Sequence, residues 1–208
     1  MNVVALGIAA AVGGFFIGAV PFGVLVSRAF FKRDIRAQGS GNIGAANALR
    51  TLGKRGAVAV LFLDGLKGAL PVVAVGWLGG TTALAALGGF AAVVGHCFSP
   101  FLGGKGGKGV ATSYGALWAL AWPAGATFTL VWIAALIATS FASAASLLAS
   151  LVAPFALWFV IGEPGLAYGV LAAAIIIYQH RENLVRLRAG TENPLSLLAK
   201  HSPSPKNR

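Results

Sequence analysis

Three stretches of this chain collect residues whose types and spacing suit the binding of anions. The first is AQGSGNIGAANALR at residues 37–50, where Gly39, Gly41 and Gly44 spell G-x-G-x-x-G and Asp64 follows twenty positions after the last glycine. The second, GHCFSPFLGGKGGKGVAT at residues 95–112, sets Lys105 and Lys108 among Gly103, Gly104, Gly106, Gly107 and Gly109. The third, YQHRENLVRLRAGTENP at residues 178–194, places His180 and Asn183 on one helical face and spaces Glu182 and Arg186 for an i, i+4 pair. Glycines let backbone N–H groups approach a ligand, a helix start favours negative charge, and ammonium groups complete a phosphate cradle.

Neither familiar nucleotide motif survives a closer reading. Aligning Gly107 and Lys108 to a Walker A loop puts Leu102 where glycine is needed and Gly109 where Ser or Thr should bind magnesium. The first stretch lacks the buried strand a dinucleotide fold requires, since FFKRDIRAQ precedes it as a charged segment. Asp64 has a nearer partner than a ribose. Lys67 lies one helical turn away in FLDGLKGALP, and pairing the two lowers the cost of charge at membrane depth, whether the pair serves packing or substrate.

The elements that must position these clusters are membrane spans. With 57% hydrophobic and 10% charged residues among 208, the composition is not that of a soluble domain. Apolar segments fall at roughly 3–27, 57–76, 82–97, 110–122, 124–140, 143–161 and 165–180, which predicts an all-α bundle of about seven transmembrane helices, several shorter than the ~20 residues that cross comfortably. The cuts near Pro123 and Ser140 are the weakest. Residues 1–27 lack the basic start and small-residue cleavage site of a signal peptide and read as a retained first span. Residues 1–192 form one domain on this reading, and 193–208, ending HSPSPKNR, a short disordered cytoplasmic tail.

Under seven spans, fifteen of the sixteen basic residues fall on one side, which the positive-inside rule makes cytoplasmic, with the N-terminus outside. The net charge of +11 is then topology and attraction to anionic lipid, not nucleic-acid binding. Two spans separate the first cluster from the second and four separate the second from the third. Even counts return all three to that face, where they can converge. Taken singly, the clusters would also suit a capped turn, a basic loop and an interfacial histidine; together they make a phosphate site. One cysteine, Cys97, beside His96 is too little for a metal site.

SGNIGAANALR, GHCFSPFLGGKGGKGVAT and HRENLVRLRAGTE resemble, in order, the three motifs of the bacterial acyl-phosphate-dependent glycerol-3-phosphate acyltransferases, the PlsY family. The likeness runs from the first span to about Glu192. Gly103 and Gly104 stand where bulkier residues are expected. The resemblance implies transfer of a fatty acyl group from a long-chain acyl phosphate to the 1-hydroxyl of glycerol 3-phosphate. Lysophosphatidic acid and phosphate are the products, at the cytoplasmic face of a multi-pass protein of the bacterial inner membrane. No cofactor, metal or obligate protein partner is implied beyond the two substrates and membrane lipid.

Carried onto this sequence, the resemblance makes His180, Ser40 and Lys105 candidate catalytic residues, with Ser40 a ligand rather than an acylated nucleophile. Asn42, Gly44, Asn47, Arg50, His96, Gly106, Gly107, Lys108, Gly109, Asn183 and Glu192 are candidate substrate-binding residues, and Asp64 with Lys67 a structural ion pair. Ser40, Arg50, Lys105, His180 and Asn183 are expected on glycerol 3-phosphate, and the Gly106–Gly109 loop with Lys108 on acyl phosphate. His180, His96 or the departing phosphate could take the hydroxyl proton. A small transporter for anionic metabolites is the rival reading. It is disfavoured because the clusters share one side and only Asp64 and Lys67 mark a path across.

Overall fold

The computed structural model describes residues 2–195, all of whose regular structure is helical. In chain order the helices are α1 (Val3–Ala19), α2 (Phe22–Phe31), α3 (Ala45–Trp77), α4 (Thr82–Cys97), α5 (Val110–Leu120), α6 (Trp122–Thr139), α7 (Ala142–Ile161), α8 (Glu163–Gln179) and α9 (Arg181–Arg188).

Five helical stretches are long and apolar enough to cross a membrane: Val3–Phe31, Ala45–Trp77, Thr82–Leu102, Trp122–Thr139 and Ala142–Ile161. α8 is slightly shorter, and α5, expected over 110–122, has only 11 residues. At 1.5 Å per residue α5 rises about 16 Å, roughly half the hydrocarbon thickness. The breaks after α5 and α6 both exist, the second at Ser140 in a left-handed conformation (φ 63°).

The expected first span is interrupted. Pro21 cannot donate to the helix and pushes Val20 out of helical backbone, so α1 stops at Ala19 and α2 restarts at Phe22. Two freed carbonyls find side-chain donors: Ser99 Oγ reaches Ala19 O at 2.6 Å, and Lys67 Nζ reaches Val20 O at 2.9 Å. α3 is likewise two helices, because Gly53 takes φ 76° in its interior. The short first piece carries Asn47 and Arg50; the long second piece is the span.

Small residues set the packing. α3 and α5 meet so closely that a Cβ on Gly68 would overlap the Thr112 carbonyl and one on Gly115 the Gly65 carbonyl. α1 packs on α4, α6 on α7, and α7 on α8. Val72, Leu117, Phe128, Leu157 and Tyr168 fill the centre. The turns 32–44, 98–109, 140–141 and the chain after 180 lie at one end of the bundle, where hydrogen bonds join them. Trp77, Trp122 and Phe159 are exposed at the other end.

Residues 193–195, expected to belong to a disordered tail, are held in place. Leu195 donates its amide to Ser140 O at 2.8 Å and packs on Ala135, Leu136 and Ala145. Residues 193–195 are thus held by the α6–α7 corner, and HSPSPKNR lies outside the described residues.

Candidate active site

The first cluster is a loop built around one buried asparagine. Asn47 Oδ1 accepts the Ser40 amide at 2.9 Å, while Asn47 Nδ2 donates to the carbonyls of Ile35 and Gln38, each at 3.1 Å, and of Asn42 at 2.8 Å. Asn42 Oδ1 takes the Gly44 amide at 2.9 Å, and Gly44 is the N-cap of α3. Asn47, Asn42 and Gly44, expected to bind substrate, therefore spend these groups on the loop itself. Gly39 (φ 60°) sits where a Cβ would strike Asn47 Oδ1. Ser40 is left exposed at the loop tip, and Arg50, one turn past Asn47, is half-buried.

The second cluster folds back on the end of α4. Gly106 donates its amide to Cys97 O and Gly107 to His96 O, both at 3.0 Å. These two amides, expected to face a phosphate, are taken; the helix start at Gly109, which caps α5, is what the loop presents instead. Gly103 and Gly104 both adopt left-handed backbone (φ 61° and 78°), so the departure from the family pattern occupies a turn that suits glycine. Lys105 is exposed. Lys108 points inward, and its Nζ donates to Asn183 Oδ1.

The third cluster closes the site. α9 ends in a turn at Gly190 (φ 68°), where Thr191 N bonds Arg186 O at 2.9 Å, and the reversed chain brings Glu192 back beneath the helix. Glu192 Oε1 accepts Asn183 Nδ2 at 2.6 Å and Ser143 Oγ at 2.9 Å; Oε2 accepts Arg186 Nε at 2.7 Å. Arg50 Nη2 reaches the Asn193 carbonyl at 3.1 Å. Arg50, Lys108, Asn183, Arg186 and Glu192 thus form one network drawn from all three motifs. The expected Glu182–Arg186 pair is replaced by Arg186–Glu192, because the chain reversal supplies a buried carboxylate while Glu182 stays exposed. Arg186 and Ser143 were missed as site residues. Arg186 had a ready partner by spacing, and nothing local to Ser143 points to a carboxylate 49 residues away.

Burial pushes Lys108 down to about 8, helped by the positive charge of Arg186 and opposed by Glu192. His180, buried at the end of α8, is pushed down to about 4, first by burial and then by Lys108. Its Nδ1 lies 2.8 Å from Ile176 O, and a carbonyl can only accept, so Nδ1 carries the proton and Nε2 is a free acceptor. Burial opposes ionisation of Glu192, but the hydrogen bonds of Asn183, Arg186 and Ser143 outweigh it and hold the carboxyl below its ordinary range.

His96, expected at the substrate, is instead 3% exposed beneath the loop, with Nδ1 3.7 Å from Asp64 Oδ1. Asp64 and Lys67 pair at 2.8 Å, both 1% exposed. Among the described residues no group of three or more His, Cys, Asp or Glu side chains is placed to hold a metal ion.

The family model described as Glycerol-3-phosphate acyltransferase matches residues 8–190. A protein of that name from Brucella anthropi is 43% identical over 189 residues, covering 90% of this chain and 92% of the relative. One from Ruegeria sp. is 47% identical over 181 residues, with 86% and 88% covered. The crystal structure of PlsY in its glycerol 3-phosphate form superposes with a TM-score of 0.85 at 35% identity, over 93% of this chain and 99% of that one. The lysophosphatidic acid form gives 0.80 at 36%, over 93% and 95%. The chain therefore belongs to the glycerol-3-phosphate acyltransferase family of integral membrane proteins that includes PlsY.

Proposed function

We propose that this acyltransferase moves a fatty acyl group from acyl phosphate to the 1-hydroxyl of glycerol 3-phosphate, giving lysophosphatidic acid and inorganic phosphate. The contact of Lys108 with Asn183 carries the reading, because it seats a cation from the glycine loop on α9, one turn past His180 at the α8–α9 junction. Lys108 rather than Lys105 then serves the glycerol phosphate, together with Arg50, Ser40 and Asn183. Lys105 and the α5 start at Gly109 take the acyl phosphate. This exchanges the two lysines relative to the expectation from the motifs.

Acyl phosphate is already activated, so positioning and charge stabilisation supply the rate. The 1-hydroxyl oxygen attacks the acyl carbon and the carbon–oxygen bond to phosphate breaks. His180 Nε2 accepts a hydrogen bond from that hydroxyl and aims it. An imidazole held near 4 is a weak base. A phosphate with a second pKa of about 6 is the better proton acceptor, so the proton leaves with the departing phosphate.

In this reading seven helical segments alternate across a bacterial inner membrane and the basic loops face the cytoplasm, where the reaction takes place. Purified protein offered glycerol 3-phosphate with palmitoyl phosphate, palmitoyl-CoA or palmitoyl carrier protein separately should form lysophosphatidic acid with the phosphate alone. Activity only with the thioesters sinks the reading. Cysteines introduced singly at Gly79 and Lys105 in a Cys97→Ala background should label from opposite sides of sealed vesicles.

A further inference from the structure

A second polar cluster lies inside the bundle, behind the glycine loop and away from the residues assigned to substrate. Asp64 and Lys67 pair on one face of α3, and Lys67 also caps the broken end of α1 through Val20 O. The Lys67–Asp64 contact is an ion pair whose angles fall short of a hydrogen bond. Among the described residues, both Asp64 oxygens and His96 Nδ1 have no hydrogen-bond partner, although all are buried. His96 stands in the last turn of α4, with Nδ1 turned to Asp64 and Nε2 turned to the loop. A Cβ on Gly107 would strike that ring, Nε2 first, so the glycine is a seat for the imidazole. The His96 carbonyl meanwhile holds the Gly107 amide.

Charges at this depth are costly, and packing alone would be served by apolar residues. What the cluster adds is direction. A ring nitrogen facing a carboxylate favours carrying the proton, which fixes the imidazole's orientation. Lys67 balances Asp64, so the ring is oriented without adding net negative charge beneath an anion site.

We propose that Asp64, Lys67 and His96 are positioning residues for the glycine loop: the buried pair orients His96, and its ring and carbonyl set the bend at Gly106 and Gly107. That bend aims Lys105 and the start of α5 at the acyl donor. The inference rests on the assignment of Lys105 and the start of α5 to the donor phosphate.

The test is two-substrate kinetics on the purified full chain, with the donor that the wild-type protein uses. Gly107→Ala should raise the KM for the donor about tenfold, and clearly more than it raises the KM for glycerol 3-phosphate, since misplacing a positioning element by about 1 Å costs up to about 100-fold. His96→Ala in the Gly107→Ala background removes the overlap and should recover a large part of the loss. Asp64→Asn should shift the donor KM in the same direction, and Asp64→Asn with Lys67→Met, which leaves no unpaired charge, keeps the question answerable where the single variant is unstable. Equal rises in both KM values, a fall in kcat alone, or strictly additive effects of Gly107→Ala and His96→Ala would overturn the inference. The wild-type donor preference separately judges the reaction itself.

Discussion

Asn183 donates its amide to Glu192 at 2.6 Å and so turns its own oxygen toward Lys108. The carboxylate fixes which end of the asparagine faces the glycine loop. Without it the side chain is free to flip and present a donor to a cation. Glu192, expected on the substrate, is in this arrangement the bracket that orients Asn183 and Lys108, the ligands proposed for glycerol 3-phosphate, and a carboxylate against a phosphate would be repulsive in any case.

Glu192→Ala should therefore cost both stability and affinity. Three donors lose their acceptor, two of them buried, for a loss of roughly 2–4 kcal/mol. A lower unfolding midpoint in detergent, with a raised KM for glycerol 3-phosphate, is the expected pair of results. Because the folded carboxyl is held below its ordinary range, this stabilisation is present above the ordinary glutamate pKa and fades as pH falls through the lowered folded value. The variant should lack that acid-side loss.

The proposed place of Lys108 on the substrate phosphate predicts an alkaline limb. Its ammonium is charged below about 8 and neutral above. Affinity for the phosphate of glycerol 3-phosphate should weaken as pH rises through that value, seen as a falling kcat/KM. Lys108→Arg stays charged and should flatten the limb, even if its larger head lowers the rate at every pH. A wild-type profile flat between pH 7 and roughly 9.5 would remove Lys108 from the phosphate.

Asn47 makes a prediction of the opposite kind, stability without chemistry. Asn47→Ala takes a donor from three carbonyls, of which those of Ile35 and Gln38 keep a backbone amide, and leaves the Ser40 amide and the Asn42 carbonyl without this partner, at about 1 kcal/mol for each group left unpaired. Asn47→Asp, nearly the same size, places oxygen against those carbonyls and should do no better. Both variants should unfold earlier in detergent, and added glycerol 3-phosphate should restore only part of the difference.

The sequence carried the clusters and their common end because glycine, lysine and charge placement are local signals. The helix start after Gly44 and the apolar segments were readable for the same reason. What it did not carry was which partner each polar group takes. Asn47 and Arg50 look equivalent at three-residue spacing, yet one is buried under four hydrogen bonds and the other stays half-open. Lys105 and Lys108 differ only in which way a glycine loop turns, and that turn is set by His96 and Cys97 carbonyls on another helix. Arg186 and Glu192 are brought together by a chain reversal at Gly190 that no periodicity describes. The interruption at Pro21 was visible as a proline, but its repair by Ser99 and Lys67 needed the bundle.

The α3–α5 contact tests whether the short helix is positioned by its neighbours or by its own sequence. Eleven residues are marginal as an isolated helix, so α5 depends on tertiary packing. Gly68 and Gly115 allow the two backbones to touch, and a Cβ on either would overlap a carbonyl across the contact. Gly115→Ala changes a residue that lies about a turn and a half into α5, outside the loop itself. Because that helix begins at the glycine cap of the second motif, pushing it away from α3 should displace Gly109 and Val110 as well. The expected result is a raised donor KM in addition to a lower unfolding midpoint. Gly76→Ala, on the same α3 with open space around it, is the control and should change neither. A Gly115→Ala protein that loses stability but keeps its donor KM would mean the loop holds its shape independently of the helix it starts.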